Sequence, residues 1–270
     1  MPINKLFVEG SLDVQVLYPV LQGSPALKLG GPKYGLRTRA LTDRRENKIL
    51  AGYLRDRDFD FDPPVDMSTP TIDSEESGTP FGWRWARHEI ENYLIDPALV
   101  QEATGWRLVE FADLIRRVAG MIRFYEAARW TVGVVRRDLP PNYQLTTRLP
   151  GMNEIELPAS LDESSVFTWA SDSINRHRVR IVAKTDEAGV QASFQAFSAR
   201  FDEAFLLDTS RILLWFSGKD LLAGMSDWIH AKGMGNSGAF RATVRDWIIA
   251  NPIRAVELLP EWDKLLRFLR

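Results

Sequence analysis

The chain has 270 residues, 45% of them hydrophobic, which suffices for one large domain or two small ones and excludes wholesale disorder. Its 34 basic and 36 acidic residues give a formal net charge of -2, so a generally polybasic protein is excluded and any nucleic-acid contact must use a local patch. The absence of cysteine removes disulfides, thiolate-bound zinc, iron–sulfur clusters and thiol nucleophiles, and is compatible with a reducing cytoplasm, the expected location.

"KLFVEG" (5–10) is a short apolar run closed by Glu-Gly and reads as a first strand. A helix is expected from Ser11 to about Gly23, shortened or kinked by Pro19. "ALKLGG" (26–31) reads as a second strand, the polar stretch 41–48 as a helix, and "ILAGYL" (49–54) as a buried third strand. This β–α–β–α–β order predicts a parallel sheet. Residues 63–80, rich in Pro, Ser, Thr and acid, read as a loop. Residues 81–96 read as a strand leading into a helix, 106–137 as helix, 138–165 as irregular and 188–206 as helix. "RILLWFSGK" (211–219) reads as a strand returning to the sheet, and 220–270 as a helical tail. The expected fold is therefore α/β: a small parallel Rossmann-like sheet over 1–105, a mainly helical insertion over 106–205, and a return strand with a helical tail over 206–270. No run of 18 apolar residues exists and "MPINKLFVEG" has no signal-peptide core, so no membrane association is expected.

"RDRDFDFD" (55–62) places Asp56, Asp58, Asp60 and Asp62 on alternate positions after the third strand. Such charge is tolerable if the side chains splay into water or if a cation holds them together. An EF-hand is excluded: counted from Asp56, position 6 is Phe61 and position 12 is Met67, where glycine and glutamate are required. "SGKD" (217–220) lacks the earlier glycine and the Ser/Thr of a Walker loop, because Leu213 and Asp220 stand there. "GMGNSG" (233–238) satisfies GxGxxG but follows a helical segment, so it lacks the context of a dinucleotide site. In open α/β sheets ligands collect at the carboxyl ends of the strands. Glu9 ends the first strand, Asp13 lies about one helical turn later, and Asp56 and Asp58 end the third. If the strands are neighbours, four carboxylates converge. Hard oxygen ligands of this kind suit Mg²⁺ or Mn²⁺, which in pairs support phosphodiester cleavage.

"VEGSLD" (8–13) and "DRD" (56–58), each after a strand, resemble the Toprim domain shared by topoisomerases, bacterial primases and nucleases of the overcoming-lysogenization-defect type. "RHEIENYLIDP" (87–97) and "LWFSGKDLL" (214–222) look like the Toprim-like nuclease family often paired with an AAA-type ATPase, to which effectors of phage anti-restriction-induced defence systems are similar. The resemblance covers about 4–62, 85–98 and 211–222. It implies metal binding by Glu9, Asp13, Asp56, Asp58 and Glu91, with Glu9, Asp56, Asp58, Glu91 and Lys219 serving catalysis and Lys219 stabilising charge on the phosphate. It also implies cleavage of DNA or RNA in antiphage defence under a partner ATPase. One departure is that Phe59, Asp60 and Phe61 stand where many Toprim domains have glycine, which weakens the topoisomerase and primase readings. A non-catalytic binding subunit of an ATPase complex and a primase-like nucleotidyl transferase are the alternatives, and a homo-oligomer is compatible with all three.

Of the neighbouring residues, Asp60 and Asp62 read as solvated loop charges and His88 as structural. Glu89 and Glu91 are two apart, so on a helix only one faces inward, and Glu91 is the expected one. Arg176, Arg178 and Arg180 read as a surface run that could also meet phosphates. Trp83 and Trp85 are the candidates for base stacking, the other tryptophans being expected in the core.

Overall fold

The structure, a computed structural model, describes residues 2–75, 78–138 and 163–270. In chain order its elements are β1 (Lys5–Val8), α1 (Ser11–Leu21), β2 (Ala26–Leu29), α2 (Lys33–Arg45), β3 (Ala51–Arg55), β4 (Thr71–Ser74), β5 (Pro80–Arg84), α3 (Glu91–Leu94), α4 (Pro97–Thr104), α5 (Leu108–Asp138), α6 (Glu163–Thr185), α7 (Glu187–Arg200), α8 (Glu203–Leu206), α9 (Thr209–Trp215), α10 (Gly218–Gly224), α11 (Ser226–Ala231), α12 (Ser237–Ala250), α13 (Pro252–Leu258) and α14 (Pro260–Leu269). Among the described residues no helix is long and apolar enough to cross a membrane.

The sheet has the order β2-β1-β3-β5-β4. β1 pairs in parallel with β2 and β3, and β3 in parallel with β5, while β4 runs antiparallel on the β5 edge. β3 is central and buried over Ala51–Leu54, as a strand covered on both faces must be. The Tyr53 ring crosses directly over Gly82 on β5, where a Cβ would collide with it, and its hydroxyl donates to Asp73 Oδ2 on β4 at 2.5 Å. The α/β class expected from the sequence is thus observed, a mostly parallel sheet with flanking helices and a helical C-terminal region.

Three expectations need correction. "RILLWF" is not a strand but α9, whose first turn is capped by Asp208 Oδ1 accepting from the Ser210 and Arg211 amides at 3.0 and 3.1 Å. Ile212, Leu213 and Leu214 are buried in succession, and a short apolar run that is covered all round looks the same as strand or helix. The fifth strand comes instead from the segment read as a loop. Thr71–Ser74 is a half-exposed edge strand, held by its ladder to β5 and by Tyr53, with none of the apolar alternation that marks a buried strand. Finally, α2 begins at Lys33, eight residues before the polar stretch that suggested it, and buries Leu36 and Ala40. The irregular stretch expected at 138–165 falls largely outside the described residues.

The chain forms two compact units. One comprises Met1–Glu126 with Phe201–Arg270 and contains the sheet. The other comprises Ala127–Arg200. In the second unit Trp130 stacks on Phe197 with centroids 5.6 Å apart, and Arg137 and Arg200 lie over these two rings. Residues 175–180 are helical there and not extended. The side chains of Arg176 and Arg180 lie outside the described residues.

Candidate metal centre

Because β1, β3 and β5 are parallel neighbours, the segments leaving their carboxyl ends meet along one edge. β1 delivers Glu9, and α1 returns Asp13 in its first turn. β3 delivers Asp56 and Asp58, the bend after β5 delivers Glu89, and the start of α3 delivers Glu91. The β3 exit is clamped to the β5 exit by the Arg57 and Asp58 amides, which donate to the His88 carbonyl at 2.9 and 3.1 Å. Asp58 adopts a left-handed conformation (φ 47°), which aspartate tolerates better than most residues. Between the two aspartates, Arg57 turns the other way and is fully buried. Its guanidinium donates to the carbonyls of Ala86 (2.9 Å), Phe61 (2.8 Å) and Leu214, and so ties the acidic turn to the chain beneath it.

The carboxylates converge. Glu9 Oε1 accepts from the Asp56 amide at 2.9 Å. Ligand oxygens of Asp56, Asp58 and Glu89 lie within 4.8 Å of one another. Asp13 is buried beside them, its Oδ2 accepting from the Gly10 amide at 2.9 Å. Three cations border the group. Lys33 reaches both Asp58 and Asp60 at 2.5 Å, Lys219 reaches Glu89 at 2.5 Å and Glu91 at 3.7 Å, and Arg241 reaches Glu91 at 3.2 Å. Asp60 is therefore an ion-pair partner rather than a solvated loop charge.

Electrostatics make this edge costly without more positive charge. Seven carboxylates (Glu9, Asp13, Asp56, Asp58, Asp60, Glu89, Glu91) face three cations (Lys33, Lys219, Arg241), an excess of four negative charges if all ionise. Burial raises the Glu9 carboxyl to about 7, with Asp58 and Asp13 adding to the rise and the Asp56 amide and Lys33 opposing it. Burial raises Asp13 to about 6, against the Gly10 amide and Lys219 and with the help of Glu91. Asp56 is raised well above the usual carboxylate range by burial and then by Asp13, Glu9, Asp58 and Glu89. Glu91 is raised by burial and by Glu89. Burial pulls Lys219 down, but Glu89 and Glu91 outweigh it and the ammonium is held above its ordinary value.

The donor set fits a hard divalent cation. Asp56 Oδ1 is buried and has no hydrogen-bond partner, a state that costs free energy unless something positive meets it. All the converging donors are carboxylate oxygens, as Mg²⁺ and Mn²⁺ prefer. His88 does not join them. Its Nε2 donates to the Trp215 carbonyl at 2.9 Å, and its ring lies 4.5 Å from Phe59, the structural role expected of it.

Glu9, Asp13, Asp56 and Asp58 thus meet as expected, while the pair at 89 and 91 divides differently. Both are buried, yet Glu89 completes the trio and Glu91 faces Lys219 and Arg241. Glu89 precedes α3 in a bend, so an argument from helical faces does not apply to it. Lys219 stands in the first turn of α10, not after a strand. Trp83 and Trp85 are core residues, Trp85 packing on Tyr93 and Trp262, and neither offers a face for stacking.

Asn92 organises the far side of the site. Its side-chain amide donates to the carbonyls of Leu213 (3.0 Å) and Phe216 (2.8 Å), and its Oδ1 accepts from the amides of Gly218 (3.1 Å) and Glu89 (3.2 Å). A Cβ at Gly218 would lie 2.5 Å from the Asn92 nitrogen, so only glycine permits this approach. Ser217 Oγ and the Lys219 amide then donate to Glu89 Oε1 at 2.8 and 2.9 Å. "ENYL" and "SGK" are therefore two halves of one contact, a link between distant segments that neither segment signals alone. No family model matches this chain, and no curated protein matches it.

Proposed function

We propose that the chain is a divalent-metal-dependent nuclease that hydrolyses phosphodiester bonds of DNA or RNA. The observation that carries this reading is the convergence of Asp56, Asp58 and Glu89, which each offer an oxygen within 4.8 Å of the others, on a carboxylate, Asp56, whose Oδ1 is buried without a hydrogen-bond partner. Asp56, Asp58 and Glu89 would hold Mg²⁺ or Mn²⁺, with Glu9 and Asp13 alongside. When bound, such an ion supplies an activated water at neutral pH and neutralises charge on the phosphate. Glu9 Oε1 accepts from the Asp56 amide, which leaves Oε2 to face the metal or a water beside it. Lys219, held by Glu89 and with 58% of its side chain exposed, offers positive charge to a phosphate at the rim. The resemblance to Toprim-like nucleases supports nucleic acid as the substrate. It further suggests a cytoplasmic antiphage effector governed by an AAA-type ATPase partner.

One observation favours a second reading, a non-catalytic binding subunit: Lys33 and Lys219 already sit 2.5 Å from Asp58 and Glu89, partly balancing the charge. The test separates the two. Purified chain is incubated with plasmid, a single-stranded oligonucleotide and tRNA in Mn²⁺, Mg²⁺ or EDTA, alongside Asp56→Asn and Glu9→Gln. Cleavage in metal, lost in EDTA and reduced about 100-fold or more in both variants, is expected. Cleavage that persists in both variants refutes the mechanism, and no cleavage of any substrate favours the binding subunit.

A further inference from the structure

The geometry points to a phosphate subsite in the cleft beside Lys219 and Arg241, where the polynucleotide phosphate next to the scissile one binds. The cleft has a volume of about 480 Å³ and is lined by Lys219, Leu222, Ala223, Ser226, Ser237 and Arg241. Two cations and two serines line it, Ser237 Oγ donating to the Leu222 carbonyl at 3.0 Å, and among the described residues no carboxylate lines it, although the acidic centre is one side chain away.

The cations are held from behind. Glu91, with 5% of its side chain exposed, bonds Arg241 Nη1 at 3.2 Å and lies 3.7 Å from Lys219 Nζ. Arg241 and Lys219 keep 39% and 58% of their side chains exposed. Each thus spends one side on a buried carboxylate and shows the rest to the cleft. A guanidinium has five N–H donors in a rigid fork, and the bond to Glu91 uses one of them, which leaves the geometry that recognises phosphate oxygens. Ala223, exposed at the cleft wall, adds an apolar contact for a sugar. Lys219 borders both sites, since its ammonium also contacts Glu89 of the carboxylate trio. A strand bound across this edge therefore meets carboxylates at one phosphate and the Arg241 cleft at the next. Glu91 acts in this arrangement as a positioning residue.

The identity of the ligand as nucleic acid rests on the nuclease reading above. The test is the salt dependence of binding of a fluorescent single-stranded oligonucleotide, in Ca²⁺, to the full chain and to Arg241→Gln, Ala223→Glu and Arg254→Gln. Ala223 is exposed, so a glutamate there opposes a phosphate without disturbing the Glu91 pair. Arg254 pairs with Glu102 and Glu257 elsewhere on the surface and controls for net charge alone. Each phosphate contact contributes about 0.7 to the salt slope of a single strand, so losing one lowers the slope by about 0.7 and weakens binding about fivefold near 0.1 M salt. That result is expected for Arg241→Gln and Ala223→Glu, with Arg254→Gln unchanged. Wild-type binding in both cleft variants, or no binding by the wild-type chain, overturns the subsite. Metal-dependent cleavage by the wild-type chain, with the cleft variants binding as it does, would remove this inference and leave the metal reading intact. Cleft-dependent binding without cleavage would do the reverse.

Discussion

Asp56 sits among Glu9, Asp13, Asp58 and Glu89 with one oxygen buried and without a hydrogen-bond partner. Replacing it by asparagine removes a charge that its surroundings resist. In EDTA at pH 8 Asp56→Asn is therefore expected to melt higher than the wild-type chain, by at least about 1 kcal/mol or roughly 2–4 °C, while losing metal binding. A lower melting point would mean that the carboxylate is already compensated within the chain. Glu261 poses a separate problem. It is buried away from the cluster, accepts from the Ala86 amide at 2.7 Å and from the Tyr93 hydroxyl, and burial raises it to about 7. Its folded value lies above its unfolded one, so its contribution is fully present below about pH 4.5 and is lost as pH rises through about 7. The loss is on the order of 3 kcal/mol. Denaturation of wild type and Glu261→Gln at pH 5 and pH 8 checks this, with the wild-type advantage shrinking at the higher pH. A constant difference between the two would contradict it.

At the scale of elements, the approach of α3 to the start of α10 decides whether Lys219 and Ser217 reach Glu89. Gly218→Ala forces a methyl group against the Asn92 backbone and is expected to cost about 1–3 kcal/mol in denaturant unfolding. Asn92→Ala strands the carbonyls of Leu213 and Phe216 and is expected to cost at least about 2 kcal/mol. If either variant unfolds at the wild-type midpoint, the contact is not structural. The same elements mark where sequence reading stops. β1 and β3 were legible because apolar runs end in Glu9 and in Asp56 and Asp58, and the parallel order follows from the alternation with α1 and α2. α9 was not, since Ile212–Leu214 is buried whichever way it coils. β4 was not, since its place depends on Tyr53 and β5 rather than on its own composition. Glu89 was missed because its inward aim comes from a bend and from Asn92, Ser217 and Lys219, all supplied by tertiary contact.

At the scale of the molecule, the unit that contains the sheet gathers acidic groups from residues 9 to 91 and basic groups from residues 33 to 241 along one edge. The raised values of Glu9 and Asp13, about 7 and about 6, mean that their contribution to apo stability is lost as pH rises through that window. A metal bound here would compete with protons for these oxygens, so the rise in melting temperature produced by Mn²⁺ should be larger at pH 8 than at pH 5.5. An equal rise at both pH values would place the metal elsewhere. The most direct measurement is calorimetric titration of the metal-free chain and of Asp56→Asn with Mn²⁺ at pH 8. Saturable binding by the wild-type chain that disappears in Asp56→Asn is the result expected. Binding of equal strength in both, or in neither, would contradict a cation centre at this edge.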